Sequence, residues 1–320
     1  MNYKRIVVVF IASSSRSQKF SAKVRPGIEN FAKNHNLKLR EIELSSAPIV
    51  SSDGLIEQKL SDREIISKQL RDGDLVVACG GDGIVQMCFD AAFLSEKDVT
   101  FAAVPLGNGN DFARALNGRA TKIEQILDQT SRNFYPLLAD FGEIILAIAA
   151  YITFGATTTL VDILNQEEVR RRRKFFANLS PAASLPIGKI RELSSTISKT
   201  DFPDFSRNGK NYSHDSLGFF NTSAAHGVLR ISRKYLFAKK DFFFHLGSVA
   251  DKNLLQKILM AGRWTLNFPG SATTSENIIF AKSRDLVANI AGDNIKLKNI
   301  REIRVQKSDR AIKVLTSRKS

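Results

Sequence analysis

Two short segments carry residue types whose spacing suits phosphate chemistry. Gly80-Gly81-Asp82-Gly83 lies directly after the apolar run Leu75 to Cys79 and before the helical pattern Ile84 to Leu94. Glycines at a strand-to-helix turn let backbone N–H groups approach an anion without interference from Cβ, and the helix N-terminus adds partial positive charge. Asp82 in such a turn can address a Mg²⁺ ion or an attacking hydroxyl. Taken alone, a glycine cluster of this kind is equally an ordinary tight turn. The second segment, Pro105-Leu106-Gly107-Asn108-Gly109-Asn110-Asp111-Phe112-Ala113-Arg114, follows the apolar run Phe101 to Val104 and opens another helix. Asn108 or Asn110 can cap that helix, and Asp111 and Arg114 can pair on one of its faces.

These turns need strands to carry them. Residues 4–117 alternate strand-like and helix-like segments: Ile6 to Ile11 apolar, Val24 to His35 helical, Leu37 to Leu44 alternating, Leu60 to Leu70 helical. Such alternation predicts an α/β domain with a parallel sheet and helices on both faces, whose ligands gather at the carboxyl ends of the strands. Both glycine turns fall at that edge and face one crevice. From about Leu137 short strand-like runs dominate: Ile144 to Phe154, Leu217 to Thr222, Val228 to Ile231, Asp241 to Leu246, Glu276 to Ala281, Leu286 to Ile290, Arg301 to Val305 and Ala311 to Leu315. They predict a β-rich, sandwich-like second domain. Helical patterns interrupt it near 159–176, 186–197 and 251–261, and the polar stretch Ser198 to His214 reads as a loop.

A chain of 320 residues has room for about two domains at roughly 150 residues each. Hydrophobic residues at 43% and charged residues at 25% exclude wholesale disorder. Charge is the unusual feature. Residues 1–135 hold 18 Lys and Arg against 16 Asp and Glu, whereas residues 136–320 hold 29 against 16. The second half therefore meets the anionic partner, be it a membrane surface or a phosphorylated substrate. Nucleic acid is disfavoured, because there is no RNA-binding aromatic signature and no zinc-finger spacing. Cys79 and Cys88 sit in apolar segments, which fits a reducing compartment without a disulfide, and the four His suggest no metal-ligand spacing. Lys4-Arg5 and the apolar run to Ala12 read better as a first buried strand than as a signal peptide. The run Ile144 to Phe154 is far short of the ~20 residues of a membrane-spanning helix, so membrane contact is expected to be peripheral.

Together the two glycine segments are specific. The chain resembles the diacylglycerol kinase catalytic family of lipid kinases, which includes sphingosine and ceramide kinases and bacterial lipid kinases. The family's paired motifs read GGDGT and PLGTGNDFAR; this chain has GGDGI and PLGNGNDFAR. Asp140-Phe141-Gly142, a strand ending in Asn221, and Ala291-Gly292-Asp293 (where the family has Asp-Gly-Glu) extend the likeness over nearly the whole length.

The resemblance implies a nucleotide-binding domain over residues 1–135, on which 306–320 can pack back, and a lipid-substrate domain over 136–305. It implies an ATP-dependent lipid kinase acting in the cytoplasm at the membrane surface. Mg-ATP phosphates would lie on Gly80, Gly81, Asp82 and Gly83 and on Gly107, Asn108, Gly109 and Asn110, with Asp82 toward the metal. Asp293 and Asp82 are the candidates for taking the hydroxyl proton. Where the family has Asn-Pro-x-Ser-Gly after its first strand, this chain has Ser13, Ser14, Ser15 and Arg16, still able to hold phosphate. Ile84, Asn108 and Ala291 depart from the family pattern, and Lys239-Lys240-Asp241 replaces a stretch that helps hold a structural Mg²⁺ in some members. The basic run Arg170 to Arg173 with Lys174 suits an anionic leaflet, whereas Phe242 to Phe244 reads as two-sided strand core. Two alternatives stay open: a soluble small-molecule kinase of the NAD kinase and phosphofructokinase superfamily, and a catalytically silent lipid- or nucleotide-binding homologue.

Overall fold

The computed structural model describes residues 3–11, 17–44, 55–107, 109–118, 120, 122–155, 158, 205–207, 210–212, 216–222, 224–225, 229–230, 235–247, 271–273 and 277–317. The first part runs β1 (Arg5–Ile11), α1 (Ser17–Lys19) continued by a π-helical turn (Phe20–Val24), α2 (Arg25–Asn34), β2 (Lys38–Leu44), α3 (Leu55–Gln69), β3 (Asp74–Gly80), α4 (Asp82–Leu94), β4 (Thr100–Pro105), α5 (Asp111–Asn117), α6 (Ile123–Leu127) and β5 (Thr130–Phe134). Strands follow: β6 (Leu137–Asp140), β7 (Ile145–Ile148), β8 (Tyr151–Gly155), β9 (Phe205–Arg207), β10 (Lys210–Tyr212), β11 (Ser216–Phe220), β12 (Ala224–Ala225), β13 (Leu229–Arg230), β14 (Phe242–Gly247), β15 (Ser271–Thr273), β16 (Asn277–Ile290), β17 (Asp293–Lys307) and β18 (Ile312–Thr316).

The first sheet has the order β2-β1-β3-β4-β18-β5. Its strands are parallel from β2 to β18, and β5 closes it antiparallel. The near-continuous apolar sequences of β1, β3 and β4 are explained by burial on both faces. Val7, Val9, Val76, Ala78, Phe101 and Ala103 enter one cluster with α4 and α5. Their neighbours Ile6, Val8, Leu75, Val77, Ala102 and Val104 enter another with α2 and α6. Cys79 and Cys88 are buried on opposite sides of this sheet.

The second part is β-rich, as its strand runs predict. Its strands form one ten-stranded sheet, β15-β14-β11-β8-β16-β17-β6-β7 with β9 and β10 attached, and a separate ribbon of β12 and β13. Phe242 and Phe244 face the core of this sheet, while Phe243 faces the cluster it shares with α4 and α5. Alternate side chains of one strand thus weld the two parts together, as a two-sided strand does.

Local reading departs from the structure in three places. The run Ile144 to Phe154 is two strands, β7 and β8, that occupy separate positions in the sheet. The runs at 276–281 and 286–290 are one bulged strand, β16. The stretch Ser198 to His214, expected as loop, contains the antiparallel pair β9 and β10; the Asn208-Gly209 dipeptide between them is the hairpin signal that its polar composition obscured. The helical patterns at 159–176, 186–197 and 251–261 and the basic run 170–174 lie outside the described residues.

Among the described residues no helix is long and apolar enough to cross a membrane.

Candidate active site

The two glycine turns sit side by side at the carboxyl ends of neighbouring strands β3 and β4, where Leu106 N donates to Gly80 O at 2.9 Å. A Cβ on residue 81 would lie 3.3 Å from Gly107 Cα, and one on residue 107 would overlap Gly81. A Cβ on residue 109 would overlap the Asp82 carboxylate. In this structure the missing side chains are thus accounted for by protein packing. The two loops close onto each other beside the first turn of α4.

Asp82 opens α4, but its carboxylate serves the next helix. Oδ2 accepts from Asn110 N and Oδ1 from Asp111 N, each at 2.6 Å. The cap of α5 therefore comes from the first glycine turn rather than from the Asn110 side chain. Asn110 takes a left-handed conformation (φ 55°) and folds its amide back onto Gly107, accepting from its N–H at 2.7 Å and donating to its carbonyl at 2.6 Å. With its carboxylate committed there, Asp82 leaves α4 with Gly81 as N-cap and no side-chain cap hydrogen bond. The first amides of a helix have no intrahelical acceptor, so this end favours an anion.

Asp293 is brought to the same place from β17. The β16–β17 connection is a two-residue turn with positive φ at Ala291 (49°) and Gly292 (93°), the hairpin geometry that matches strand twist. It delivers the Asp293 carboxylate against Gly83, where a Cβ would lie 2.9 Å from Asp293 Cγ and overlap Oδ2. Lys59 of α3 donates to Asp293 Oδ2 at 2.8 Å. Asp82 is pushed up to about 7 by burial and by the Asp111 carboxylate; its two backbone hydrogen bonds oppose this and Asp293 adds a smaller push. Asp111 is turned inward, 3% exposed, with Tyr151 Oη 3.5 Å from its Oδ2, while Arg114 faces solvent.

Three acidic side chains about one cleft are a reason for a cation. Among the described residues, no group of three or more His, Cys, Asp or Glu is arranged to hold a metal ion. A Mg²⁺ ion fits a different way: Mg²⁺ commonly takes one or two carboxylates and completes its shell with substrate phosphates and water. Asp82 has lone pairs beyond those facing Asn110 and Asp111, and it stands at the N-terminal end of α4, which lacks a side-chain cap.

The site is braced across the two sheets. Gln86 Nε2 donates to Ala147 O at 2.7 Å and Gln86 Oε1 accepts from Ala149 N at 2.9 Å. Asp90 Oδ1 accepts from Ala147 N at 2.6 Å, and its Oδ2 pairs with Arg63 at 3.2 Å. The helix that presents the first glycine turn therefore satisfies the open edge of β7, polar groups that burial would otherwise leave unpaired. At the chain crossings, Lys307 Nζ donates to Tyr135 O (3.0 Å), Tyr235 O (3.4 Å) and Asn221 Oδ1, and Ser308 N to Pro136 O.

Of the residues singled out in the sequence, Gly80, Gly81, Asp82, Gly83, Gly107, Gly109, Asn110 and Asp293 meet in this cleft. Ser13, Ser14, Ser15, Arg16 and Asn108 lie outside the described residues. Lys59, Tyr151, Gln86 and Asp90 were not found from sequence, because each sits in a helix or strand with no local motif and acquires its role only from a distant partner.

Residues 7–136 match the diacylglycerol kinase catalytic domain. A curated protein of Pseudomonas syringae pv. syringae (strain B728a), named "Probable lipid kinase YegS-like", is 29% identical over 148 residues, 45% of this chain and 45% of that protein. The match thus spans less than half of that relative's length. The crystal structure of a diacylglycerol kinase from Bacillus anthracis str. Sterne superposes with a TM-score of 0.62 at 14% identity, covering 99% of this chain and 98% of that one. At that identity the likeness is one of fold, and it runs through both sheets. Both glycine turns and Lys59 lie inside the stretch, residues 7–136, that is similar to the diacylglycerol kinase catalytic domain.

Proposed function

We propose that the protein is an ATP- and Mg²⁺-dependent lipid kinase that phosphorylates a hydroxyl of a diacylglycerol or sphingoid-type lipid. The observation that carries this reading is the seating of the Asp293 carboxylate against Gly83: a proton acceptor stands beside the helix end that suits a phosphate.

In this reading the uncapped amides of α4 orient the terminal phosphates of ATP. Asp82 would hold a Mg²⁺ ion, which when bound would supply neutralisation of phosphate charge. Asp293 accepts the proton of the lipid hydroxyl as its oxygen bonds to the γ-phosphorus and the bond to the bridging oxygen breaks, releasing ADP. Phosphoryl transfer asks mainly for positioning and electrostatic stabilisation, which is what two abutting loops and a fixed hairpin supply. The basic excess of residues 136–320 supports peripheral docking on an anionic membrane from the cytoplasm, and gives no reason to invoke nucleic acid.

The test is transfer of labelled γ-phosphate from MgATP to a lipid panel in anionic mixed vesicles, with Asp82→Asn and Asp293→Asn as controls. A labelled lipid that disappears in both variants supports the kinase and names its acceptor. Labelling of a water-soluble alcohol instead would transfer the reading to the soluble-kinase alternative. Absence of any labelling, with vesicles bound, would leave the silent homologue.

A further inference from the structure

We propose that Lys59 is a positioning residue that holds Asp293 in its working orientation; this rests on the reading of Asp293 as the proton acceptor. The backbone of Asp293 is set by the Ala291-Gly292 turn, but its side chain is 39% exposed and free to choose a rotamer. A second carboxyl group, Asp82, lies across the cleft and is unfavourable to it when both are ionised. A cation beside the Asp293 carboxylate offsets that repulsion. Lys59 supplies that cation. Its Nζ is 2.8 Å from Asp293 Oδ2 and its side chain is 17% exposed, so the cationic end of the pair is held largely within the protein.

The geometry is selective. Lys59 engages Oδ2, the oxygen that faces Gly83, which leaves Oδ1 to meet the acceptor hydroxyl. Lys59 also lies in the field of Asp62, one turn along α3, and of Asp90 of α4. The charged groups about the pair are thus Asp62 and Arg63 of α3, Asp82 and Asp90 of α4, and Asp111 of α5. Lys59 belongs to the first part of the molecule and Asp293 to the second, so the pair also fixes the cleft across which transfer occurs.

The experiment compares Lys59→Met, Lys59→Arg, Asp293→Asn and the Lys59→Met/Asp293→Asn double variant of the full chain. MgATP is the donor, and dioleoylglycerol or sphingosine in phosphatidylglycerol-containing vesicles is the acceptor. Misplacing a reacting group by about 1 Å costs on the order of 10²-fold in rate, so Lys59→Met is expected to lower kcat by about that factor while KM for ATP changes by less than about threefold. Lys59→Arg restores part of the loss, and the double variant is no slower than Asp293→Asn alone. Wild-type kcat in Lys59→Met, beside an inactive Asp293→Asn, overturns the positioning role and spares the base. Full activity of Asp293→Asn instead overturns the base assignment, and the proposal with it. A crystal structure of Lys59→Met gives a reading that needs no turnover: the Asp293 carboxylate leaves Gly83 if Lys59 holds it, and its staying in place overturns the proposal.

Discussion

Asp293 and Gly83, from opposite ends of the chain, occupy the same few ångströms: a Cβ at residue 83 would lie 2.9 Å from Asp293 Cγ and overlap the carboxylate oxygen. Glycine at this position is the space in which the Asp293 carboxylate sits. A methyl group there would meet only the far end of a half-exposed side chain, which can swing away. Gly83→Ala is therefore expected to leave stability within about 1 kcal/mol of wild type and to lower phosphoryl transfer by roughly 10²-fold. Gly107→Ala should behave in the opposite way, because its methyl meets the backbone of Gly81 and overpacking of this kind costs about 1–3 kcal/mol. Urea unfolding and kcat measured on both variants check the contrast, and equal stability losses would defeat it.

Asp82 has a structural duty as well as the proposed chemical one. It supplies both hydrogen bonds that cap α5, and removing a capping side chain costs about 0.5–2 kcal/mol. Asp82→Ala should show that loss in addition to loss of transfer. Asp82→Asn keeps one carbonyl acceptor and the side-chain volume, so it should recover much of the stability while transfer stays down by at least about 10²-fold. Thermal unfolding beside the labelled-phosphate assay separates the two duties; transfer that returns in step with stability would assign Asp82 to the cap alone.

Lys307 makes stability depend on pH in the alkaline range. Burial lowers it from 10.5 to about 7, against a favourable field from Asp241. Between those values the unfolded chain holds a proton that the folded protein has released, so this residue makes stability rise with pH from about 7 toward 10. Lys307→Met lacks that term. The stability of wild type minus that of the variant is expected to increase over this interval, as measured by denaturant unfolding at pH 7, 8.5 and 10. A difference independent of pH would show that Lys307 stays protonated on its three acceptors.

Much of the site was legible because it is local. A glycine turn after a buried strand and before a helix is a contiguous pattern, and GGDGI with PLGNGNDFAR located two such turns at one sheet edge. The reason for the glycines was not legible. The glycine turns suggested backbone N–H groups open to an anion; the structure adds close packing of Gly81 against Gly107, Asp82 against Gly109 and Asp293 against Gly83. Nor could helix patterns single out Lys59 among the charged residues of α3, since an ion pair with Asp293 depends on where a hairpin from the other end of the chain comes to rest.

The amino-acid sequence by itself determined the elements: apolar runs that can be satisfied only by burial on both faces, periodicities that specify helix or strand, and turn residues that end them. It also determined a β-rich second part with a basic excess. Only the tertiary structure decided that β18 returns to lie between β4 and β5, that the run from Ile144 to Phe154 divides between two places in one sheet, and that Asp82 caps a helix other than its own. The physical reason is one of range. Propensity and periodicity act over a few neighbours, whereas strand order, carboxylate clustering and the Lys59–Asp293 pair are set by packing between segments that the chain itself keeps far apart.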